Sequence, residues 1–259
     1  MDDVGFLTTL VQFLQVKHDL NPQRTFVCGM SNGGFMSYTL ACQSSEVFRA
    51  MASVTGTMSG GDWASCQPTR PIPVLQITGI SDNIVPLDGS LASAYGFSGA
   101  PHQDSIMQMW ASLNGCTTRD SSFIPNSTHA ITFKGASNGH EVWHYTIEDM
   151  GHEWPGTLVI KSPRDYYPYG TVASEVIWEI VTRINLLTEK SKKYTLDDHF
   201  VLLNVGNLLK RSQDFTKRNQ IKSSLSSFNI YIESIMNTGG LPSVLPTNLK
   251  KRNGVIRYA

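Results

Sequence analysis

Apolar residues along this chain fall into two rhythms that take turns. Phe6, Leu7, Leu10, Val11, Phe13, Leu14 and Val16 recur on one broad helical face, and Asp2 or Asp3 stands where an N-cap is needed. The pattern stops at Asn21-Pro22, a turn signal. A β-prone run, residues 25–28, then enters Gly29-Met30-Ser31-Asn32-Gly33, and Phe35, Met36 and Leu40 resume helical spacing to about Gln43. Residues 48–57 read as a buried strand, and residues 58–73, with Gly60-Gly61, Pro68, Pro71 and Pro73, as an irregular loop. A short apolar strand over 74–78 follows, then a helix near 103–113 that buries Ile106, Met107, Met109 and Trp110. Residues 141–147 alternate as a strand does, and Val172, Val176, Ile177, Ile180, Val181, Ile184 and Leu187 mark an amphipathic helix.

Strands that alternate with helices predict an α/β fold, a mainly parallel sheet with helices on both faces. In such sheets the functional groups sit on loops beyond the carboxyl ends of the strands. The 259 residues, 41% hydrophobic and 16% charged, suffice for one large α/β domain or a domain with an appendage. The net charge of zero hides an asymmetry, with 9 Lys+Arg against 16 Asp+Glu in residues 1–188 and 12 against 5 in residues 189–259. We therefore expect a first unit over 1–187 and a basic C-terminal extension over 188–259, helical or partly disordered. Within the extension, 196–209 and 221–235 read as helices, and Lys250-Lys251-Arg252 is a basic cluster. A solvated tail is the expected role for it, rather than a nucleic-acid partner.

No apolar run reaches the roughly 18 residues of a membrane span. The acidic start, Met1-Asp2-Asp3-Val4, is unlike an export signal. Four cysteines, Cys28, Cys42, Cys66 and Cys116, lack CxxC metal spacing, and neither metal nor cofactor is expected.

Three residues stand just past the end of a predicted strand: Ser31, Asp82 and His152. A serine in a Gly-x-Ser-x-Gly turn between strand and helix is lifted clear of the sheet by a strained backbone. A serine hydroxyl is a poor nucleophile at neutral pH and needs a base, which in turn needs an acid to fix its tautomer. The sequence therefore makes Ser31 the candidate nucleophile, His152 the candidate base and Asp82 the candidate acid, with Asp88, Glu148 and Asp149 as other carboxylates in reach of the same role. His152 is preferred because it lies in a confined Gly-His-x-Trp-Pro-Gly loop, whereas His144 is mid-strand and His18, His102 and His199 lie near predicted helices.

Five motifs in order carry a resemblance over about residues 1–187. They are Asp2-Asp3-Val4-Gly5-Phe6-Leu7, Gly29-Met30-Ser31-Asn32-Gly33-Gly34, Gly79-x-x-Asp82-x-x-Val85-Pro86, Trp110 with Asn114-Gly115-Cys116, and Gly151-His152-x-Trp154-Pro155-Gly156. The set resembles the polyhydroxybutyrate depolymerase-type esterases, a group of α/β-hydrolase fold that includes feruloyl and acetylxylan esterases. The resemblance implies a secreted, extracellular serine esterase without a cofactor, acting on short-chain polyester or on acylated polysaccharide. It carries the nucleophile, acid and base positions onto Ser31, Asp82 and His152, and the Asn32 N–H becomes one oxyanion donor. Trp154 is a candidate for the substrate pocket, with packing against Pro155 as the alternative.

The chain departs from that family in two respects. The family's first strands, one of which leads into the loop that gives the second oxyanion donor, precede the point where this sequence begins. The sequence therefore predicts a truncated homologue with an unpaired sheet edge and impaired turnover. The other reading open for it is a remnant that binds polysaccharide or a partner. Ala136 stands where the family suggests a partner for Cys116, which leaves Cys116 free and Cys42 and Cys66 able to pair. Cys28 reads as a small core residue.

Overall fold

Strand β1 (Thr25–Met30) is buried along nearly all its length, as a strand covered on both faces must be. The computed structural model describes residues 2–91, 99–125, 127–156, 171–188, 199–204, 230–234, 249–252 and 255–258. In it β1 pairs in parallel with β2 (Ala50–Val54), β2 with β3 (Val74–Gly79), and β3 with β6 (Val142–Ile147). Beyond β6 the sheet continues antiparallel through β5 (Thr128–Lys134) to β4 (Thr118–Ile124).

The period of two along each strand divides the core between the faces. Val27, Met51, Val74 and Val142 point to the face covered by α1 (Asp3–His18), α2 (Asn32–Gln43) and α4 (Gln103–Asn114), where Leu7, Val11, Tyr38, Leu40 and Trp110 are buried. Phe26, Cys28, Ala50, Ala52, Leu75 and Trp143 point to the other face, closed by Ile177, Ile180, Val181 and Ile184 of α5 (Ala173–Thr188). Helices on both faces of a sheet whose central strands, β6-β3-β2-β1, run parallel confirm the α/β expectation. Helix α1 starts as the sequence indicates, with the Asp2 carboxylate accepting from the Gly5 N–H at 2.8 Å.

The structure departs from the sequence reading in four places. In the C-terminal extension, the segments read as helices at 196–209 and 221–235 contain strands β7 (His199–Asn204) and β8 (Ile230–Ser234). Two further strands, β9 (Leu249–Arg252) and β10 (Val255–Tyr258), complete the sheet order β4-β5-β6-β3-β2-β1-β7-β8-β10-β9. The reason is non-local: β7 lies parallel to β1, from Thr25 opposite Val201 to Cys28 opposite Asn204, and satisfies backbone groups that a helix would leave exposed on β1. The edge of β1 expected to be unpaired is thus occupied by this chain's own C-terminal region. The rest of the extension, including its expected disorder, lies outside the described residues. The second is the β4–β5 hairpin, a stretch for which the sequence suggests no element. Third, residues 58–73 are not wholly irregular, because Ser59 caps a short helix, α3 (Gly60–Ser65), by accepting from the Asp62 N–H at 3.0 Å. Fourth, His199 lies in a strand and not near a helix.

Candidate active site

Ser31 occupies the single residue between β1 and α2, at φ +54° and ψ −121°, a left-handed backbone that a serine adopts only when its surroundings impose it. Its N–H donates to Val54 O at 3.0 Å, and its carbonyl accepts from Phe35 N–H at 3.1 Å, so both sides of the turn are fastened. Two glycines make the turn possible. A Cβ on Gly29 would lie 2.4 Å from the Gly33 carbonyl carbon, and one on Gly34 would meet Gly56 Cα at 2.9 Å. Strand, helix and the loop after β2 approach so closely here that no larger residue fits.

Asp82 follows β3 in a turn held to the next loop, with Ile80 N–H on Ile147 O at 2.9 Å and Ser81 N–H on Met150 O at 3.0 Å. Its side chain is fully buried. Oδ1 accepts from the N–H groups of Ile84 and Val85, both at 2.9 Å, which leaves Oδ2 to face His152. Burial pushes this carboxyl up, but the hydrogen bonds from His152, Val85 and Ile84 and the nearby imidazole outweigh it. The net effect holds Asp82 below the ordinary carboxylate value.

His152 joins the two. Its Nδ1 lies 2.9 Å from Asp82 Oδ2 and its Nε2 lies 2.9 Å from Ser31 Oγ, across 70 and 121 residues of sequence. An ionised carboxylate only accepts, so Nδ1 carries the proton toward Asp82 and Nε2 presents its lone pair to the Ser31 hydroxyl. The imidazole is one-fifth exposed while the carboxylate is sealed, so solvent reaches the base but not its acid partner. Such an array can take a proton from the hydroxyl as it attacks, then return it to a leaving group.

Asn32 opens α2, and its N–H, the first of the helix, has no intrahelical carbonyl to bond. It stands beside the serine at the positive end of the helix dipole. Trp154 is half-buried against the apolar cluster under α5, and its Nε1–H donates to Ser174 Oγ at 3.1 Å. That contact gives the indole a packing role. Of the other candidate carboxylates, Asp88 accepts from Ser90 N–H at 2.9 Å, and Glu148 is paired with His129 at 2.8 Å. Asp149 sits at φ +58° in the turn after β6.

Among the cysteines, Cys42 and Cys66 form a disulfide, whereas Cys28 and Cys116 are free. Burial pushes the Cys28 thiol up to about 12, which marks it as an inert core residue. Sequence reasoning missed the buried polar residues behind the site. Gln76, polar within the apolar run Val74-Leu75-Gln76-Ile77, was the available signal.

The parallel sheet, the strained serine between strand and helix and the chain order Ser, Asp, His together define the α/β-hydrolase class of fold. No family model matches the chain. It is similar to feruloyl esterase B of Piromyces equi, 30% identical over 158 residues, covering 58% of this chain and 29% of that protein. It is also similar to feruloyl esterase C of Emericella nidulans, 32% identical over 145 residues, covering 54% of this chain and 50% of that protein. The chain thus spans about half or less of the length of these curated relatives. Among solved structures, acetyl xylan esterase from Aspergillus awamori matches with a TM-score of 0.45 and 12% identity, over 69% of this chain and 66% of that one.

Proposed function

We propose that this protein is a serine esterase that hydrolyses carboxylic esters through Ser31, His152 and Asp82. The observation that carries the reading is the continuous relay from Ser31 Oγ through the imidazole to the buried Asp82, with both links at 2.9 Å. Ser31 Oγ attacks the acyl carbon as Nε2 of His152 takes its proton. The carbonyl oxygen gains negative charge against the Asn32 N–H. The intermediate collapses when Nε2 returns the proton to the departing alcohol, leaving an acyl-serine. Water then attacks, giving its proton to Nε2, which passes it to the departing Ser31 Oγ as the acyl–oxygen bond breaks, and the acid and free serine are released.

The similarity to feruloyl esterases favours acyl groups on plant polysaccharide as the substrate class. Short-chain polyester such as polyhydroxybutyrate is the second substrate class, supported by the motif resemblance. An extracellular site of action fits the Cys42–Cys66 disulfide, which needs an oxidising compartment to persist. Trp154, two residues from the base, is proposed to border the pocket with its exposed edge while the rest of the ring packs.

Hydrolysis of p-nitrophenyl acetate, methyl ferulate and acetylated xylan by the purified chain tests the reading. Ser31→Ala should abolish all ester turnover while the fold persists. Turnover that survives this substitution, or wild-type protein that binds acylated xylan without cleaving any ester, would refute it.

A further inference from the structure

Gln76 lies mid-way along β3 with its side chain fully buried between apolar neighbours. A buried carboxamide without partners costs a few kcal/mol, so its retention has to be accounted for by what it bonds. Every polar atom is engaged. Oε1 accepts from the Tyr38 hydroxyl at 2.9 Å. Nε2 donates to Gly56 O and to Thr78 Oγ1, each at 3.0 Å, and lies 3.1 Å from Ile77 O.

The chain of bonds extends in one direction. Thr57 Oγ1 donates to Gln103 Oε1 at 2.9 Å, Gln103 Nε2 donates to the Tyr38 oxygen at 3.3 Å, and Tyr38 donates on to Gln76. This sequence of donors fixes which end of the Gln76 amide faces which way, since a flipped amide would set its oxygen against Gly56 O. Bonds aligned in series also polarise and strengthen one another.

The two acceptors of Nε2 back the two halves of the site. Gly56 rests on the serine turn: a Cβ there would come 2.7 Å from Gly34 Cα and 2.8 Å from Ser31 O. Thr78 precedes Gly79, whose carbonyl accepts from Asp82 N–H at 3.3 Å. A Cβ on Gly79 would come 2.2 Å from Met150 O, so this strand end also abuts the loop that carries His152. One NH₂ group therefore ties the wall behind Ser31 to the strand end that launches Asp82 and supports His152.

We propose that Gln76 is a positioning residue for the triad, setting the distance between the Ser31 turn and the Asp82–His152 pair through its bonds to Gly56 O and Thr78 Oγ1. Tyr38 and Gln103 hold its carboxamide in the orientation that this requires. The proposal rests on the esterase reading above. A misplacement of reacting groups by about 1 Å costs up to about a hundredfold in rate, so a group that fixes their separation is read in kcat.

Gln76→Met keeps the length of the side chain and removes its hydrogen bonds, and Thr78→Val and Thr78→Ser remove and retain the second acceptor. On p-nitrophenyl acetate, Gln76→Met is expected to lower kcat about tenfold or more with KM within about threefold, and Thr78→Val to lower it less. Thr78→Ser should keep the wild-type kcat. In proton NMR the downfield Nδ1–H resonance of His152 should be sharp in the wild type and in Thr78→Ser, and shifted or broadened in Gln76→Met and Thr78→Val. Unchanged kcat and an unchanged downfield resonance in folded Gln76→Met would overturn the proposal. So would a fall in melting temperature with neither readout altered. If Gln76→Met does not fold, equal kcat and resonance in Thr78→Val and Thr78→Ser overturn it. A wild type without ester turnover would instead sink the esterase reading, and the NMR comparison would still decide the positioning claim.

Discussion

His144 gives a prediction about stability that does not depend on catalysis. It lies on β6 with its imidazole 2% exposed, its Nδ1 3.6 Å from Asp104 Oδ1 and its Nε2 buried with no hydrogen-bond partner among the described residues. Burial lowers its pKa from 6.5 to about 4; the Asp104 carboxylate opposes that shift, while His102 and Arg119 add to it. The unfolded chain therefore binds a proton at this site before the folded protein does. Stability contributed here is complete above pH 6.5, falls as the pH drops, and is exhausted near pH 4. Between pH 7 and pH 5 the loss from this one residue is about 2 kcal/mol. His144→Leu removes the titration while keeping an apolar group of similar size in the sheet. Urea unfolding of both proteins at pH 7 and pH 5 should show the wild type losing about 2 kcal/mol more than the variant across that interval. Equal losses in the two proteins would refute the argument.

Three more outcomes follow from the geometry. Asp82→Asn should preserve the fold and lower kcat about 10⁴-fold, because an amide in this place favours the wrong imidazole tautomer; steady-state kinetics with melting curves checks it. Gly29→Ala puts a Cβ 2.4 Å from the Gly33 backbone, where no flexible side chain can give way. It should cost about 1–3 kcal/mol or more by urea unfolding and remove activity with it. Replacing Cys42 and Cys66 by serine opens a cross-link spanning 24 residues and should cost about 3 kcal/mol by the same measurement.

Much of the parallel sheet was legible because its strands are buried on both faces and read as mostly apolar runs, such as Phe26-Val27-Cys28 in β1. The β4–β5 hairpin was not. Thr118–Ile124 is exposed at every position but the last, and Thr-Arg-Asp-Ser-Ser has no apolar period, so its strand exists through pairing with β5 alone. The C-terminal strands escaped for a related reason: Phe200 to Leu203 fits a helical face as readily as a strand, and its state is decided by β1, far away in sequence. Ser31, Asp82 and His152 were legible because a small residue or a turn follows each strand where they stand. Gln76 was not, since a glutamine in an apolar run acquires meaning only from Tyr38, Gly56 and Thr78, which folding brings to it. The roles of Cys42 and Cys66 lay between these extremes, with pairing open in sequence and made in the structure.

Ester hydrolysis by this protein requires Ser31 to be activated by His152. A fluorophosphonate probe followed by intact-mass and peptide mass spectrometry measures that most directly. One adduct is expected, on Ser31, formed quickly by the wild type, slowly by His152→Ala and not at all by Ser31→Ala. A folded wild type that takes up no probe, or takes it up on another serine, would contradict it.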